Sequence, residues 1–136
     1  MEILSFLKPK KKKQFFVSEN EFTANQDKQL RLSIESLVSL RDSAIEEDDE
    51  LKIDYVFYTD SLVKAQKLEK DLQKSSYMIK HGRDYRDKNI YIIAGRTKEI
   101  KMMHETLREW IGEMCNLGYK YDCSFDSWTI VVETKK

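Results

Sequence analysis

Asn89-Ile90-Tyr91-Ile92-Ile93-Ala94 is the stretch that decides the fold, because it carries the longest unbroken apolar run in the middle of the chain. A charged loop precedes it and Gly95-Arg96-Thr97 follows it. A strand with one wet face alternates polar and apolar residues, whereas a continuous apolar run is typical of a strand covered on both faces. The sequence therefore predicts a strand inside a sheet, with other elements packed on each side of it.

The composition is that of an ordinary globular protein. The chain has 136 residues, 40% hydrophobic and 35% charged, and its 24 basic and 24 acidic side chains leave a formal net charge of zero. This length predicts a domain with a core of its own, and the charge balance points to no particular class of partner. The chain has only two cysteines, Cys115 and Cys123, and they lack the spacing of a metal site. So few cysteines are typical of a protein in the reducing cytoplasm.

Residues 1–22 are predicted to be a basic leader in front of a single domain over residues 23–136. An apolar stretch, Met1–Leu7, is followed by Lys8-Pro9-Lys10-Lys11-Lys12-Lys13, with five lysines in six residues. Basic residues that follow an apolar stretch do not make a signal peptide. The leader is either a contact with a membrane surface or a nucleic acid, or a solvated mobile tail. We favour the tail, because one short apolar cluster binds membranes only marginally.

An amphipathic helix is predicted at the start of the domain. Thr23-Ala24-Asn25-Gln26 has the spacing of a capping box, and apolar residues then follow helical spacing to about Asp42. The apolar stripe consists of Leu30, Ile34, Leu37 and Val38. The five consecutive acids Glu46–Glu50 that follow favour a solvated connector.

The rest of the chain has the element order of a ferredoxin-like fold. Strands are predicted at Lys52–Tyr58, Tyr77–Lys80, Ile90–Ala94 and Phe125–Glu133. Helices are predicted from Leu62 to Lys74-Ser75 and from Thr97, which can cap the helix, to Gly118, which can close it in the left-handed conformation. This βαββαβ order predicts an α+β protein with a four-stranded antiparallel sheet in the order fourth, first, third, second, and both helices on one face. The extra N-terminal helix is expected to cover the second face, with dimerisation or a partner as alternatives.

Catalytic chemistry is not predicted, since the chain lacks a nucleophile motif, a glycine-rich phosphate loop and metal-ligand spacing. We expect a protein that is not an enzyme and has no cofactor. His81, Arg83 and Arg86 are candidates for binding an anion, although Asp84 and Asp87 offset their charge and we favour a solvated hairpin loop. Direct nucleic-acid binding is not expected either, because the central strand lacks the glycine and paired aromatic residues of RNA-recognition modules.

With these elements placed, the chain resembles the regulator of ribonuclease E activity B family. The helix segment Asp27–Leu37 precedes an acidic connector and the strand Ile53–Tyr58, and Asp60-Ser61-Leu62 opens a helix with leucine spacing. Phe125-Asp126-Ser127-Trp128 lies where the family has a Tyr-Asp-Gly-Trp signature. Asp126 and Trp128 match that signature, while Phe125 replaces the tyrosine and Ser127 the glycine. The resemblance covers about residues 25–133.

The resemblance implies a ferredoxin-like protein that binds an endoribonuclease and dampens RNA decay. Familiar members are acidic, whereas this chain is neutral with a basic leader, so the fold carries over more safely than the target. Phe125, Asp126 and Trp128 become candidates for partner binding. A structural role is the alternative, with Trp128 packed on the sheet and Asp126 ordering the turn before it. The alternative function is a ligand-binding or self-associating ferredoxin-like domain, such as a homodimer.

Overall fold

The computed structural model describes residues 15–132. The helices are α1 (Glu19–Asp42), α2 (Leu62–Leu72) and α3 (His104–Lys120). The strands are β1 (Glu50–Thr59), β2 (Ser76–Arg83), β3 (Tyr91–Thr97), β4 (Ile100–Lys101) and β5 (Ser124–Val131). The apolar and lysine-rich parts of the predicted leader, residues 1–13, lie outside the described residues, so the predictions made for them stay predictions.

The long strands form one antiparallel sheet in the order β2-β3-β1-β5, and the short β4 pairs with the start of β1. In this sheet β3 lies beside β1, as the apolar run predicted, with Val56 opposite Ala94 and Phe57 opposite Ile93. The α+β class and the ferredoxin-like order of the four long strands are therefore confirmed. The sheet has a fifth strand, β4, whose residues were predicted to belong to a helix.

The core lies between one face of the sheet and the helices, which we call the inner face. Alternate residues of β1 are buried there, from Ile53 through Tyr55 and Phe57 to Thr59. The helices contribute Ala65, Leu68, Leu72, Leu107, Ile111 and Met114. Because strand side chains alternate between faces, the same pattern leaves the intervening residues of β1 on the opposite face.

Helix α1 begins earlier than predicted. Ser18 is its N-cap: the Ser18 hydroxyl accepts from the backbone N–H of Glu21, and the Glu21 carboxylate accepts from the backbone N–H of Ser18. This capping box, three residues apart like the one expected at Thr23, lies five residues upstream and displaces it. The predicted start at Thr23 is therefore wrong, and Glu19–Phe22, assigned to the leader, belong to the helix.

Helix α1 does not cover the second face of the sheet, so that expectation is wrong. It packs beside α3 on the inner side, where Phe22 stacks on Tyr119 with ring centroids 4.4 Å apart. Its buried side contains the polar residues Gln29 and Ser33, whereas Ile34 and Val38 of the predicted stripe are 54% and 58% exposed. Hydrogen bonding, as well as hydrophobic burial, therefore determines which side of α1 faces the core.

The region between β3 and α3 also differs from the prediction. Thr97 does not cap a helix: it ends β3, where its buried hydroxyl accepts a 2.9 Å hydrogen bond from the Ile53 backbone N–H. Ile100 then pairs with Leu51 in β4, and α3 begins only at His104. Backbone pairing with β1 holds Ile100 and Lys101, and pairing with Ser76 of β2 holds Thr97. Helical periodicity in the sequence cannot reveal such long-range pairing.

The end of α3 departs from the prediction in one residue. Gly118 was expected to close the helix in the left-handed conformation, but α3 continues to Lys120. Asp122 adopts that conformation, with φ of 59°, and the Cys123 N–H donates back to the Gly118 carbonyl over 2.7 Å. Aspartate tolerates positive φ better than most residues, so this turn needs no glycine.

Candidate protein-binding surface

The second face of the sheet is open in the part of the chain that the structure describes, where all three helices pack on the inner side. Lys52, Asp54, Val56 and Tyr58 of β1 point to this second face and are only partly buried. Strand register places the outward residues of the neighbouring strands beside them. The outer face, as we call it, comprises Lys52, Asp54, Val56, Tyr58, Met78, Lys80, Ile92, Ala94, Arg96, Ser127, Thr129 and Val131.

A groove of about 310 Å³ crosses β1, β3 and β2 on this face. Val56 and Ala94, which lie opposite each other in the register, line it together with Met78 and Lys80. Met78 is 56% exposed. We call this depression the outer groove, and its small apolar lining can accept one side chain of a partner.

An ion pair borders the outer groove. Arg96 donates two hydrogen bonds to Asp54, from Nε to Oδ1 over 2.6 Å and from Nη2 to Oδ2 over 3.0 Å. The hydrogen bond from Arg96 holds the pKa of Asp54 below its usual value. Paired in this bidentate geometry, the guanidinium and the carboxylate fix each other's orientation.

A larger groove of about 750 Å³ lies between the start of α1 and the turn that joins β2 to β3. Phe16 and Phe22 line one side of this N-terminal groove, and Tyr58 and Ile90 line the other. The lining also contains the acids Glu21, Asp84, Asp87 and Asp126 and the base Arg86. Apolar and charged side chains therefore share this lining.

Asp122 holds the start of the described chain against the domain beside this groove. Its carboxylate accepts from the backbone N–H groups of Phe16 and Val17, each over 2.8 Å, and from Lys64 Nζ over 2.5 Å. Burial alone would raise the pKa of Asp122, but the hydrogen bonds from Lys64, Phe16 and Val17 outweigh it and the pKa lies below its usual value. One carboxylate therefore connects three separate segments.

An Asp122→Asn variant is expected to be less stable at pH 7 by about 1–2 kcal/mol, because it loses charge-assisted hydrogen bonds. A carboxyl whose pKa is lowered by folding stabilises the protein above its unfolded pKa of about 4, and this contribution is lost as pH falls through the folded value. The difference between variant and wild type, measured by urea unfolding from pH 7 to pH 3, should therefore shrink below about pH 4.

Asp60→Asn is the matched control for this prediction. Asp60 also accepts from Lys64, over 2.9 Å, but its side chain is more exposed than that of Asp122. Exposed ion pairs contribute about 0.2–1 kcal/mol, so the control should change stability less. Equal effects of the two variants at pH 7 would contradict the role assigned to Asp122.

The residues predicted to bind a partner, Phe125, Asp126 and Trp128, lie at the junction of β5 with α1. Phe125 is buried against Phe57, with ring centroids 5.1 Å apart. Trp128 is partly buried and its Nε1–H donates to Gln29 Oε1 over 3.0 Å, while the Asp126 side chain is exposed. The structure gives Phe125 and Trp128 packing contacts, and partner binding through the three residues stays a prediction.

The anion-binding candidates do not converge on one point. The predicted loop at residues 81–88 begins later, because β2 extends to Arg83, so His81 and Arg83 lie on a strand. His81 hydrogen bonds Glu69, and Arg83 donates to the Tyr91 hydroxyl over 3.0 Å. Arg86, in the turn, lies 3.5 Å from Asp84 and lines the N-terminal groove. Each base has its own neighbour, and a shared anion site stays a prediction.

The cysteines lie in the core rather than at a reactive site. Burial raises the pKa of the Cys115 thiol to about 12 and that of Cys123 to about 11. Both thiols are free and buried. Within residues 15–132, no group of three or more His, Cys, Asp or Glu side chains is arranged to hold a metal ion. None of the helices in that range is long and apolar enough to cross a membrane.

The outer face was not predicted to be open, because the N-terminal helix was expected to cover it. Sequence reasoning also missed Gln29, which lies fully buried and hydrogen bonds Trp128. Gln29 was not part of the predicted apolar stripe, which begins at Leu30. The signal that could have found it is Trp128 itself, because a buried indole N–H requires an acceptor.

Comparison with known families adds the functional class. A family model described as regulator of ribonuclease activity B matches residues 31–129. Comparison with individual curated proteins gives no significant match. The matched segment begins inside α1, reaches into β5 and includes Phe125-Asp126-Ser127-Trp128. Since it covers well over half of the chain, the protein belongs to the regulator of ribonuclease activity B family.

Proposed function

We propose that this protein is a non-catalytic regulator that binds an endoribonuclease and slows its cleavage of RNA. The observation that carries the proposal is the family match over residues 31–129, because the family is one of ribonuclease regulators. The matched residues contain β1 to β4 and most of β5, and with them nearly all of the outer face. An open sheet face offers a regulator a surface for a protein partner.

Two measurements test this function. The protein, immobilised through a C-terminal tag, is used to capture partners from an extract of its native cells, and the bound proteins are identified by mass spectrometry. The captured endoribonuclease is then purified, and its cleavage of a fluorogenic RNA is followed while the regulator is added. We expect a saturable fall in cleavage rate. Capture of no endoribonuclease, or an unchanged rate at saturating regulator, would refute the proposal.

The same assay separates enzyme binding from RNA sequestration. Fluorescence anisotropy of the labelled RNA, measured with the regulator alone, should stay constant at the concentrations that slow cleavage. A rise in anisotropy over that range would show that the regulator acts on the substrate instead of the enzyme. This control also tests the earlier expectation that the chain does not bind nucleic acid directly.

A further inference from the structure

We propose that the lysine run Lys8–Lys13 docks into the N-terminal groove of its own chain. The described residues that line this groove are mostly apolar or aromatic, and they include Phe16, Phe22, Tyr58 and Ile90. Its volume of about 750 Å³ lies in the range of pockets that hold a ligand. The assignment differs from the solvated tail favoured on sequence alone, and it is independent of the proposed function.

The carboxylates of the groove give the sign of its occupant. The described lining residues include four acids, Glu21, Asp84, Asp87 and Asp126, and the base Arg86, which is paired with Asp84. The three other acids are exposed, and no base among the described residues forms an ion pair with them. Lysine suits such a lining, because its methylene stem packs on apolar surface while its ammonium group reaches the carboxylates.

The place of the lysine run in the chain favours an intramolecular contact. The run ends three residues before Phe16, which lines the groove and is held to the domain by the Asp122 carboxylate. So short a tether keeps the lysines at a high local concentration beside the acids. Exposed ion pairs are individually weak, so the tethered run has an advantage over the same charges on a separate molecule.

A second acidic segment, the connector Glu46–Glu50, is too distant to receive most of the run. Phe16 precedes α1 and the connector follows it, and the 24 residues of α1 span about 36 Å. Lys10–Lys13 are three to six residues from Phe16, so a fully extended chain carries them at most about 22 Å from it. The N-terminal groove, in contrast, begins at Phe16 itself.

The contact also bears on partner binding. Asp126, one of the three residues predicted to bind a partner, is exposed and lines the N-terminal groove. A lysine run seated in the groove covers Asp126, so a partner that uses this residue has to displace the run.

Paramagnetic broadening of amide NMR signals tests the contact in the full chain. A nitroxide is attached to a Ser5→Cys variant, which places it just before the lysine run. Cys115 and Cys123 are buried, and burial raises the pKa of both thiols, so they resist labelling. Signal intensities are compared before and after reduction of the nitroxide.

Two amides that line the groove, Ala24 and Ile90, serve as reporters and are expected to broaden strongly. The Ile100 amide is the reference signal and should broaden little. Ile100 pairs with Leu51 at the start of β1, about 23 Å along the strand from Tyr58 at the groove.

Charge variants distinguish docking from mere proximity of the tether. Asp87→Asn with Asp126→Asn removes two charges from the groove, and the control pair, Glu47→Gln with Asp48→Asn, removes two from exposed positions of the connector. Urea unfolding first establishes that both double variants are folded. We expect the groove pair to weaken docking by about twofold or more, seen as reduced broadening of the reporters, and the control pair to leave it unchanged.

Several results would overturn the proposal. One is unbroadened reporters; another is an equal effect of the two double variants. A third is broadening that persists from about 0.01 M to about 1 M salt, over which the Debye length falls from about 30 Å to about 3 Å. Broadening in a mixture of spin-labelled protein and ¹⁵N-labelled, spin-free protein would assign the run to a second copy. Unbroadened reporters together with co-sedimentation on anionic vesicles would assign it to a membrane surface.

Discussion

A Gln29→Leu variant is expected to lower the free energy of unfolding by about 2–4 kcal/mol, since it leaves buried polar groups without partners. Gln29 lies fully buried between α1 and β5. Its amide nitrogen donates to the Asp126 carbonyl over 3.1 Å, and its amide oxygen accepts from the Trp128 indole over 3.0 Å. Leucine preserves most of the volume but can replace neither hydrogen bond.

Two polar groups are expected to lose a hydrogen-bond partner in the Gln29→Leu variant. The Phe125 carbonyl retains a donor, Asn25 Nδ2 at 2.8 Å, so it stays satisfied in the variant. The Trp128 indole N–H and the Asp126 carbonyl do not have another hydrogen bond among the side-chain contacts described above. An unsatisfied buried polar group costs about 1–3 kcal/mol. Because these two hydrogen bonds are only partly buried, each loss is expected in the lower part of that range, and together they account for the expected effect.

Urea unfolding of a double-mutant cycle measures this coupling. Trp128→Phe removes the indole N–H while keeping an aromatic ring, and it is combined with Gln29→Leu. Groups in direct hydrogen-bond contact show interaction energies of about 0.5–3 kcal/mol, so the two substitutions should not add. Gln66→Leu, at an exposed position of α2, is the control and should have little effect. Additive losses in the cycle would show that Gln29 and Trp128 stabilise the protein independently.

The second large effect is expected at Gly118. A Cβ added there would lie 2.7 Å from the Cys123 carbonyl oxygen and 2.9 Å from Phe57 Cε2. The first is backbone in a tight turn and the second is a ring in the core, so neither can move without disturbing its surroundings. We therefore expect Gly118→Ala to destabilise the protein by about 1–3 kcal/mol, as overpacking does in other cores.

Gly112→Ala is the matched control, since it makes the same change in the same helix. No heavy atom lies within 4 Å of a Cβ built at this position, beyond its chain neighbours and the backbone of its own helix. Alanine loses less backbone entropy than glycine when a helix forms, so Gly112→Ala should stabilise the protein by about 0.5–1 kcal/mol. The two substitutions are thus expected to have opposite signs in urea unfolding. Stabilisation by both would contradict the close contact at Gly118.

The sequence was sufficient to predict the sheet because hydrophobic patterning is local. The apolar runs at Ile53–Tyr58 and Ile90–Ala94 are long enough to identify strands, and the βαββαβ order then leaves few ways to connect them. Element ends were less predictable. Thr97 and Ile100 fit a helical pattern, but they lie in strands because Thr97 pairs with Ser76 of β2 and Ile100 pairs with Leu51 of β1, both distant in the chain.

The position of α1 could not be read from its sequence for a different physical reason. Hydrophobic spacing favoured a stripe containing Ile34 and Val38, yet the buried side is the one that brings Gln29 to Trp128. The two partners are 99 residues apart, and no local pattern records that they meet. The prediction that α1 covers the second face of the sheet failed for the same reason, because a helix that packs beside α3 cannot also cover that face.

The hydrogen bonds of Gln29 also show that the folded domain begins before the first residue of the family match. The family match begins at residue 31, inside α1, whereas the capping box of that helix is at Ser18. A fragment trimmed to residues 31–129 lacks Asn25 and Gln29, exposing the carbonyl groups of β5 that they cover. A fragment for expression should begin before Phe16, so that both the helix cap and the segment bound by Asp122 are retained.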